Sequence, residues 1–250
     1  MNKITSILFA MLAGFIVMTG CKKSSSSSTT TPPVTATLPA MYAKFNTSLQ
    51  IYVEGNFVVI KSTGIPDHKS PYFQTNDARY EAYNGTNASF NLNPNRILTQ
   101  TLTFKVPVIP SESPTKPATP LGPIGVSING VPIFNQYAGP GTPLTNEINS
   151  FDQYNGHPQM TGQYHYHVEP KYLTTQKGRS ALLGVLLDGY PVYGPLENGV
   201  TLTSSSLDAY HGHTSATADF PAGIYHYHIT ADAPYINGSG FFGVPGSVTQ

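Results

Sequence analysis

From residue 45 onward, apolar and polar positions alternate in short runs with a period of two, the signature of strands buried on one face. Leu49, Ile51 and Val53 interleave with Gln50, Tyr52 and Glu54; Phe57, Val58, Val59 and Ile60 form a brief continuous apolar run; and 98–108 alternates again. Clusters of Asn, Gly and Pro separate these runs, which predicts strands joined by loops. The single stretch with helical spacing lies at 171–182. The predicted fold class is therefore all-β, with a Pro-rich connection at 110–123 leading into the most strongly patterned region and a Gly-rich segment at 238–246 closing it.

That region contains three blocks that each occur twice, in the same order. Gly125-Val126-Ser127-Ile128-Asn129-Gly130-Val131-Pro132-Ile133-Phe134 matches Gly184-Val185-Leu186-Leu187-Asp188-Gly189-Tyr190-Pro191-Val192-Tyr193. Asp152-Gln153-Tyr154-Asn155-Gly156-His157 matches Asp208-Ala209-Tyr210-His211-Gly212-His213, and a Tyr-His-Tyr-His tetrapeptide follows each, at 164–167 and 225–228. The offsets (125 to 184, 152 to 208, 164 to 225) are 59, 56 and 61 residues, so order is kept while spacers vary, as when insertions fall in loops. Two copies of one β-rich unit are expected, at about 121–170 and 180–245, within a single domain spanning 41–250. Asn129-Gly130 and Asp188-Gly189 predict hairpin turns of the primed type.

Composition narrows the function classes. Charged residues make up 10% of the 250 and the formal net charge is +0, so the electrostatic footprint of a nucleic-acid binder is missing, as is a polybasic membrane patch. At the amino terminus, Lys3, an apolar stretch at 4–18, and Met18-Thr19-Gly20-Cys21 read as an export signal resembling a bacterial lipoprotein lipobox. The resemblance implies that 1–21 is a signal peptide and that Cys21 is lipidated. A transmembrane anchor is the rival reading, although the apolar run is shorter than the usual ~20 residues. Residues 22–40, rich in Ser, Thr and Pro, read as a flexible tether to the membrane. The expected location is the bacterial cell envelope outside the cytoplasm, at the outer membrane or cell surface. Cys21 is the one cysteine, so any metal must be held by imidazole and oxygen.

Candidate chemistry lies in the histidines. In a strand, His165 and His167 share one face while Tyr164 and Tyr166 share the other; His226 and His228 repeat the arrangement. Positions i and i+2 lie about 6–7 Å apart, close enough for both rings to converge on one ion. The metal ligands expected are His165, His167, His226 and His228, then His157 and His213, each completing a three-histidine set with its own or the opposite strand pair, and also His68. A hydrogen-bonded polar core, and catalysis or stacking without metal, are the alternatives. Three imidazoles with an open position suit zinc or copper. The expected site is near the junction of the two copies. Asp67, Asp152 and Asp208 precede these histidines and could orient the ligand rings; an Asp opening a turn also commonly caps backbone N–H groups, and both roles stay open.

Together with Ser62-Thr63-Gly64-Ile65-Pro66-Asp67-His68, these duplicated blocks resemble the YHYH-domain family over roughly 59–244. The resemblance implies a secreted or lipid-anchored bacterial protein of a family without an established activity. Relatives often carry cysteines near the Gly-His and Tyr-His-Tyr-His segments, where this chain has Tyr154 and Tyr210. Other site patterns are absent: there is no Gly-x-Ser-x-Gly, no phosphate-cradling glycine loop and no His-Glu-x-x-His, and Glu169 is wrongly spaced for a cupin strand. Three functions remain: a metal-binding protein, a metal-dependent hydrolase or oxidoreductase, and a metal-free module that binds a glycan, small molecule or partner through its tyrosines.

Overall fold

A computed structural model describes residues 36–250. The expected signal peptide, Cys21 and residues 22–35 of the expected tether lie outside the described residues. The strands in chain order are β1 (Gln50–Glu54), β2 (Phe57–Ser62), β3 (Leu102–Pro107), β4 (Pro123–Ser127), β5 (Pro132–Phe134), β6 (Tyr137–Ala138), β7 (Thr142–Pro143), β8 (Gly156–Pro158) and β9 (Tyr164–Tyr166). After helix α1 (Lys171–Lys177) come β10 (Leu182–Leu186), β11 (Pro191–Tyr193), β12 (Leu196–Glu197), β13 (Val200–Thr201), β14 (Gly212–Ser215), β15 (Ile224–His228) and β16 (Ser247–Thr249). The all-β expectation holds. The helix stops short of 182 because Gly178 takes φ 95°, outside the range of a right-handed helix, and the apolar residues from Leu182 enter a sheet instead.

The strands form a four-stranded sheet, β1-β2-β3-β16, and an eight-stranded sheet, β14-β15-β11-β10-β4-β5-β9-β8, with two small ribbons, β6-β7 and β12-β13. The main core combines Val58, Ile60, Phe104 and Val106 of the first sheet with Ile124, Val126, Val185 and Val192 of the second. All of these are essentially inaccessible to solvent, and their burial is the main drive holding the layers together.

The centre of the large sheet is the antiparallel pair β4–β10, where Val126 faces Val185, Gly125 faces Leu186 and Gly184 faces Ser127. Each glycine is required by close approach: a Cβ on Gly125 would lie 2.5 Å from the Val185 carbonyl oxygen, and one on Gly184 would lie 2.5 Å from that of Val126. From this centre the sheet extends similarly both ways, through an antiparallel hairpin and then a parallel strand carrying Tyr-His-Tyr-His. The hairpin turns differ from expectation. A primed turn needs positive φ at Asn129 and Asp188, but only Gly130 and Gly189 adopt it, at 86° and 83°. The N–H groups of Gly130 and Gly189 bond back three residues, to Ser127 and Leu186, giving three-residue loops with the glycine as a left-handed bulge.

Candidate metal centres

The two histidine groups lie at opposite ends of the large sheet, β8-β9 at one edge and β14-β15 at the other. The expectation of a site near the junction is thereby corrected: the junction is the buried pair β4–β10, and each Tyr-His-Tyr-His strand is separated from it by one intervening strand, β5 or β11.

Each group is assembled by its own antiparallel ribbon. His157 is directly opposite His165, and His213 is opposite His226. Residues in such register share a face at close range, so the third imidazole joins the pair supplied by the i, i+2 alternation. Both ribbons begin alike. The backbone takes positive φ at Asn155 (67°) and His211 (74°), and the preceding Asp caps the turn. Asp152 Oδ1 accepts from the N–H groups of Tyr154 and Gly156; Asp208 Oδ1 accepts from those of Tyr210 and Gly212. Gly156 and Gly212 admit the rings of Tyr164 and Tyr225, whose atoms would lie within 2.5 Å of a Cβ there.

The ring nitrogens are sorted by these surroundings. His165 Nδ1 bonds the Gln163 carbonyl at 3.1 Å and His226 Nδ1 bonds the Ile224 carbonyl at 2.9 Å, each two residues back. His167 Nδ1 bonds the Asn135 carbonyl at 2.6 Å and His228 Nδ1 that of Gly194 at 2.8 Å, each the residue after the strand aromatic. A carbonyl only accepts, so all four Nδ1 atoms carry the proton and all four Nε2 atoms present lone pairs. His157 Nδ1 lies 2.8 Å from Ser150 Oγ, whose own hydrogen goes to the Glu147 carbonyl, which fixes the same tautomer. Burial pushes the pKa of His165 well below the ordinary histidine value, and those of His167 and His228 down to about 4, so these rings are neutral at pH 7.

Each set of inward nitrogens meets one carboxylate. Glu147 joins His157, His165 and His167, and Glu197 joins His213, His226 and His228; in each group the donor atoms all lie within 4.8 Å of one another. Glu147 Oε1 is 3.2 Å from His157 Nε2, and Glu197 Oε2 is 3.2 Å from His213 Nε2. The His157 imidazole holds the Glu147 carboxyl below its usual pKa. Burial raises that of Glu197, yet the Ser215 hydroxyl bonded to Oε1 at 2.6 Å and the three imidazoles outweigh it.

These groups fit a metal ion. The Nε2 atoms of His226 and His228 are buried without a hydrogen-bond partner, which costs free energy unless something occupies the space they face, and those of His157 and His213 each face a carboxylate oxygen at 3.2 Å. His165 Nε2 and His167 Nε2 lie 2.9 Å apart, where two lone pairs repel unless a proton or a metal ion is shared between them. Nitrogens bound to one zinc at about 2.0–2.1 Å in tetrahedral geometry lie about 3.3 Å apart, a small adjustment from that spacing.

The remaining candidates lie on the tyrosine face or in the turns. His68 stands apart from both groups, its Nδ1 on the Lys69 carbonyl and its Nε2 3.0 Å from the Tyr166 hydroxyl, with Tyr154 and Tyr172 packed on its ring. Asp67 accepts from Asn129 Nδ2 at 2.9 Å. Beyond their turns, Asp152 receives the hydroxyls of Ser70 and Tyr164 and Asp208 that of Tyr225; none of the three aspartates hydrogen-bonds a clustered imidazole. Backbone carbonyls orient the clustered rings of His165, His167, His226 and His228 instead.

Sequence reasoning missed both glutamates. Glu147 stands ten residues before His157 and Glu197 sixteen before His213, so the two glutamates occupy no equivalent position and lie outside the duplicated blocks.

The family described as YHYH protein matches this chain over residues 103–201 and 196–240, a span that contains every residue of both groups. No curated protein and no solved structure matches it.

Proposed function

Because the chain belongs to the YHYH protein family, we propose that its duplicated motif is a metal-binding device, and that this protein holds one copper or zinc ion in each of two three-histidine, one-glutamate centres. The observation that carries this reading is the convergence, in each group, of three imidazole nitrogens and one carboxylate oxygen within 4.8 Å of one another. Three imidazole nitrogens and one carboxylate oxygen are a donor set that zinc accepts in tetrahedral geometry. Imidazole serves divalent copper equally, whereas monovalent copper prefers sulfur, which neither group supplies. In this reading the two units arose by internal duplication, each retaining its own centre, and the domain is tethered through a lipidated Cys21 to a membrane of the bacterial cell envelope.

The residues do their part before any ion arrives. Carbonyls of Gln163, Asn135, Ile224 and Gly194 fix the tautomers, and burial keeps the rings neutral, so little reorganisation opposes binding. The test is elemental analysis of protein purified without chelator, beside a H165A/H167A/H226A/H228A variant. Two equivalents of copper or zinc are expected in the parent and none in the variant. A parent that binds no ion even after reconstitution defeats the reading and leaves the rings as a polar core or as part of a metal-free binding surface.

A further inference from the structure

The two centres differ in what lies in front of them. At the first, His157, His165 and His167 are each 3% exposed or less, Phe134 stacks on His165 at 3.9 Å, and Phe151 covers His157 and His167. At the second, His226 and His228 are equally buried, but the His213 side chain is 29% exposed, and a cleft of about 800 Å³ adjoins Glu197, His226 and His228. Tyr193 stands where the first centre has Phe134, set edge-on to His226 at 5.3 Å instead of stacked. His226 Nε2 and His228 Nε2 are uncapped, whereas their counterparts in the first centre crowd each other.

The cleft also has a charged, hydrogen-bonded wall. Lys44 Nζ lies 2.6 Å from Asp219 Oδ1, and Asp219 Oδ2 accepts the Tyr193 hydroxyl at 2.9 Å. Thr217 Oγ1 is 2.9 Å from that same hydroxyl, so the phenol is fixed in orientation. Lys44 and Asp219 cancel in charge. Lys177 adds a positive charge to the lining, and a divalent ion held by Glu197 and three neutral imidazoles retains a net positive charge. The field in the cleft therefore favours an anion.

We propose that the Glu197 centre, and not the Glu147 centre, takes a small anion from solution, a carboxylate or similar ligand, beside its ion in the Tyr193 cleft. This inference rests on the metal-binding reading above. It divides the labour: the first centre is closed and holds the fold, and the second is the place where chemistry or exchange with solvent occurs.

The test is azide titration of the full chain loaded with divalent copper, read by the azide-to-copper absorption band, with copper content measured on the same samples. Two copper ions and one azide per chain are expected. The band should survive in H165A/H167A, which keeps one copper, and vanish in H226A/H228A. Lys177→Ala, at an exposed helix end, should weaken azide several-fold with copper content unchanged. Two copper ions with no azide, or with two, would overturn the inference while sparing the metal reading, as would a band that disappears with His165 and His167. An unchanged azide affinity in Lys177→Ala would remove the charge argument. Failure to load either copper or zinc would overturn both readings.

Discussion

The two ends of the large sheet carry the same imidazole triad but complete it differently. The strand aromatics Phe134 and Tyr193 are each followed by a small ribbon, β6-β7 and β12-β13. Four residues after the aromatic, the second ribbon places Glu197, whereas the first places Ala138. The first centre takes its carboxylate later, from Glu147 in the short 3-10 turn Glu147–Ser150. Two triads have thus each acquired one acidic neighbour from unrelated positions. The repeated motif matches the histidines alone; the glutamates come from positions that it does not contain. The backs of the strands diverge as well. Tyr164 and Tyr166 pack beneath the long 63–101 connection with Tyr72, Phe73 and Ile97, while Tyr225 and Tyr227 belong to the main core.

The sharpest way to break this contrast is to remove one triad at a time. An ion present at 1,000 times its Kd stabilises the fold by about 4 kcal/mol per site. H165A/H167A and H226A/H228A should each lose one equivalent of metal, and in each the gap in Tm between metal-loaded and chelated protein should shrink by about half. Because His165 and His167 also pack against Phe134 and Phe151, their removal should lower the Tm of chelated protein further than removal of His226 and His228. Equal losses in chelated protein would mean that the first centre is no more structural than the second.

Next in size is a titration that exists on one side only. Asp188 Oδ2 accepts the Tyr227 hydroxyl at 2.5 Å and the Gly243 N–H at 2.9 Å, and burial pushes its pKa up to about 6. The corresponding Asn129 instead donates toward Tyr166 and cannot titrate. A folded-state pKa raised above the unfolded value of about 3.9 contributes stability below pH 4 that is lost as pH rises through 6, about 3 kcal/mol in all. Asp188→Asn lacks this loss. Denaturant unfolding from pH 4 to 7 should show the stability of the parent falling by that amount relative to the variant, and parallel curves would show that Asp188 is ionised throughout.

The centre of the sheet offers a perturbation that ignores the contrast. In Gly184→Ala the new methyl meets the Val126 carbonyl and the Ser127 Cα, both backbone, so strands β4 and β10 must separate. A loss of about 2–3 kcal/mol is expected, with Gly125→Ala similar. Since both ribbons hang from this pair, metal affinity should fall at both ends together. Loss confined to one end would mean that the halves fold independently.

Sequence reading reached the all-β class, the repeated order of elements and the imidazole triads for a common reason: each depends on local periodicity. Alternation puts His165 and His167 on one face whatever the rest of the chain does, and the Gly-His turn feeds a neighbouring strand. The location of the sites was not legible. It depends on β4 pairing with β10, which places the two histidine ribbons, β8-β9 and β14-β15, at the edges of the sheet, and β4 shows only an apolar run that would suit many partners. Glu147 and Glu197 were equally hidden, because each reaches its triad from an irregular segment whose path no periodicity records. The aspartates misled for the opposite reason, being close in sequence to the histidines while their carboxylates turn to the tyrosine face. The hairpin glycines were read correctly as turns but assigned the wrong type, since the strands needed a third loop residue.

The finest distinction between the two ends is which ligand a serine supports. At the first centre Ser150 holds an imidazole, accepting from His157 Nδ1; at the second Ser215 holds the carboxylate, donating to Glu197 Oε1. Ser150→Ala leaves a buried Nδ1–H with no acceptor, so the ring loses the bond that fixes its tautomer. Ser215→Ala leaves Glu197 tied to its imidazoles alone and lets it swing toward the cleft. Removing a group that orients a ligand typically costs 10–100-fold in metal affinity, and about tenfold, or 1.4 kcal/mol, is expected for each. Competition with a chromophoric chelator, which resolves the two sites as separate phases, should show one phase weakened by each variant and the other unmoved. The Ser215 variant should also release its ion faster, because a freed carboxylate opens the exposed side of the centre. Both phases shifting in either variant would mean that the two ends are coupled through the sheet, and the division into a closed and an open centre would fail.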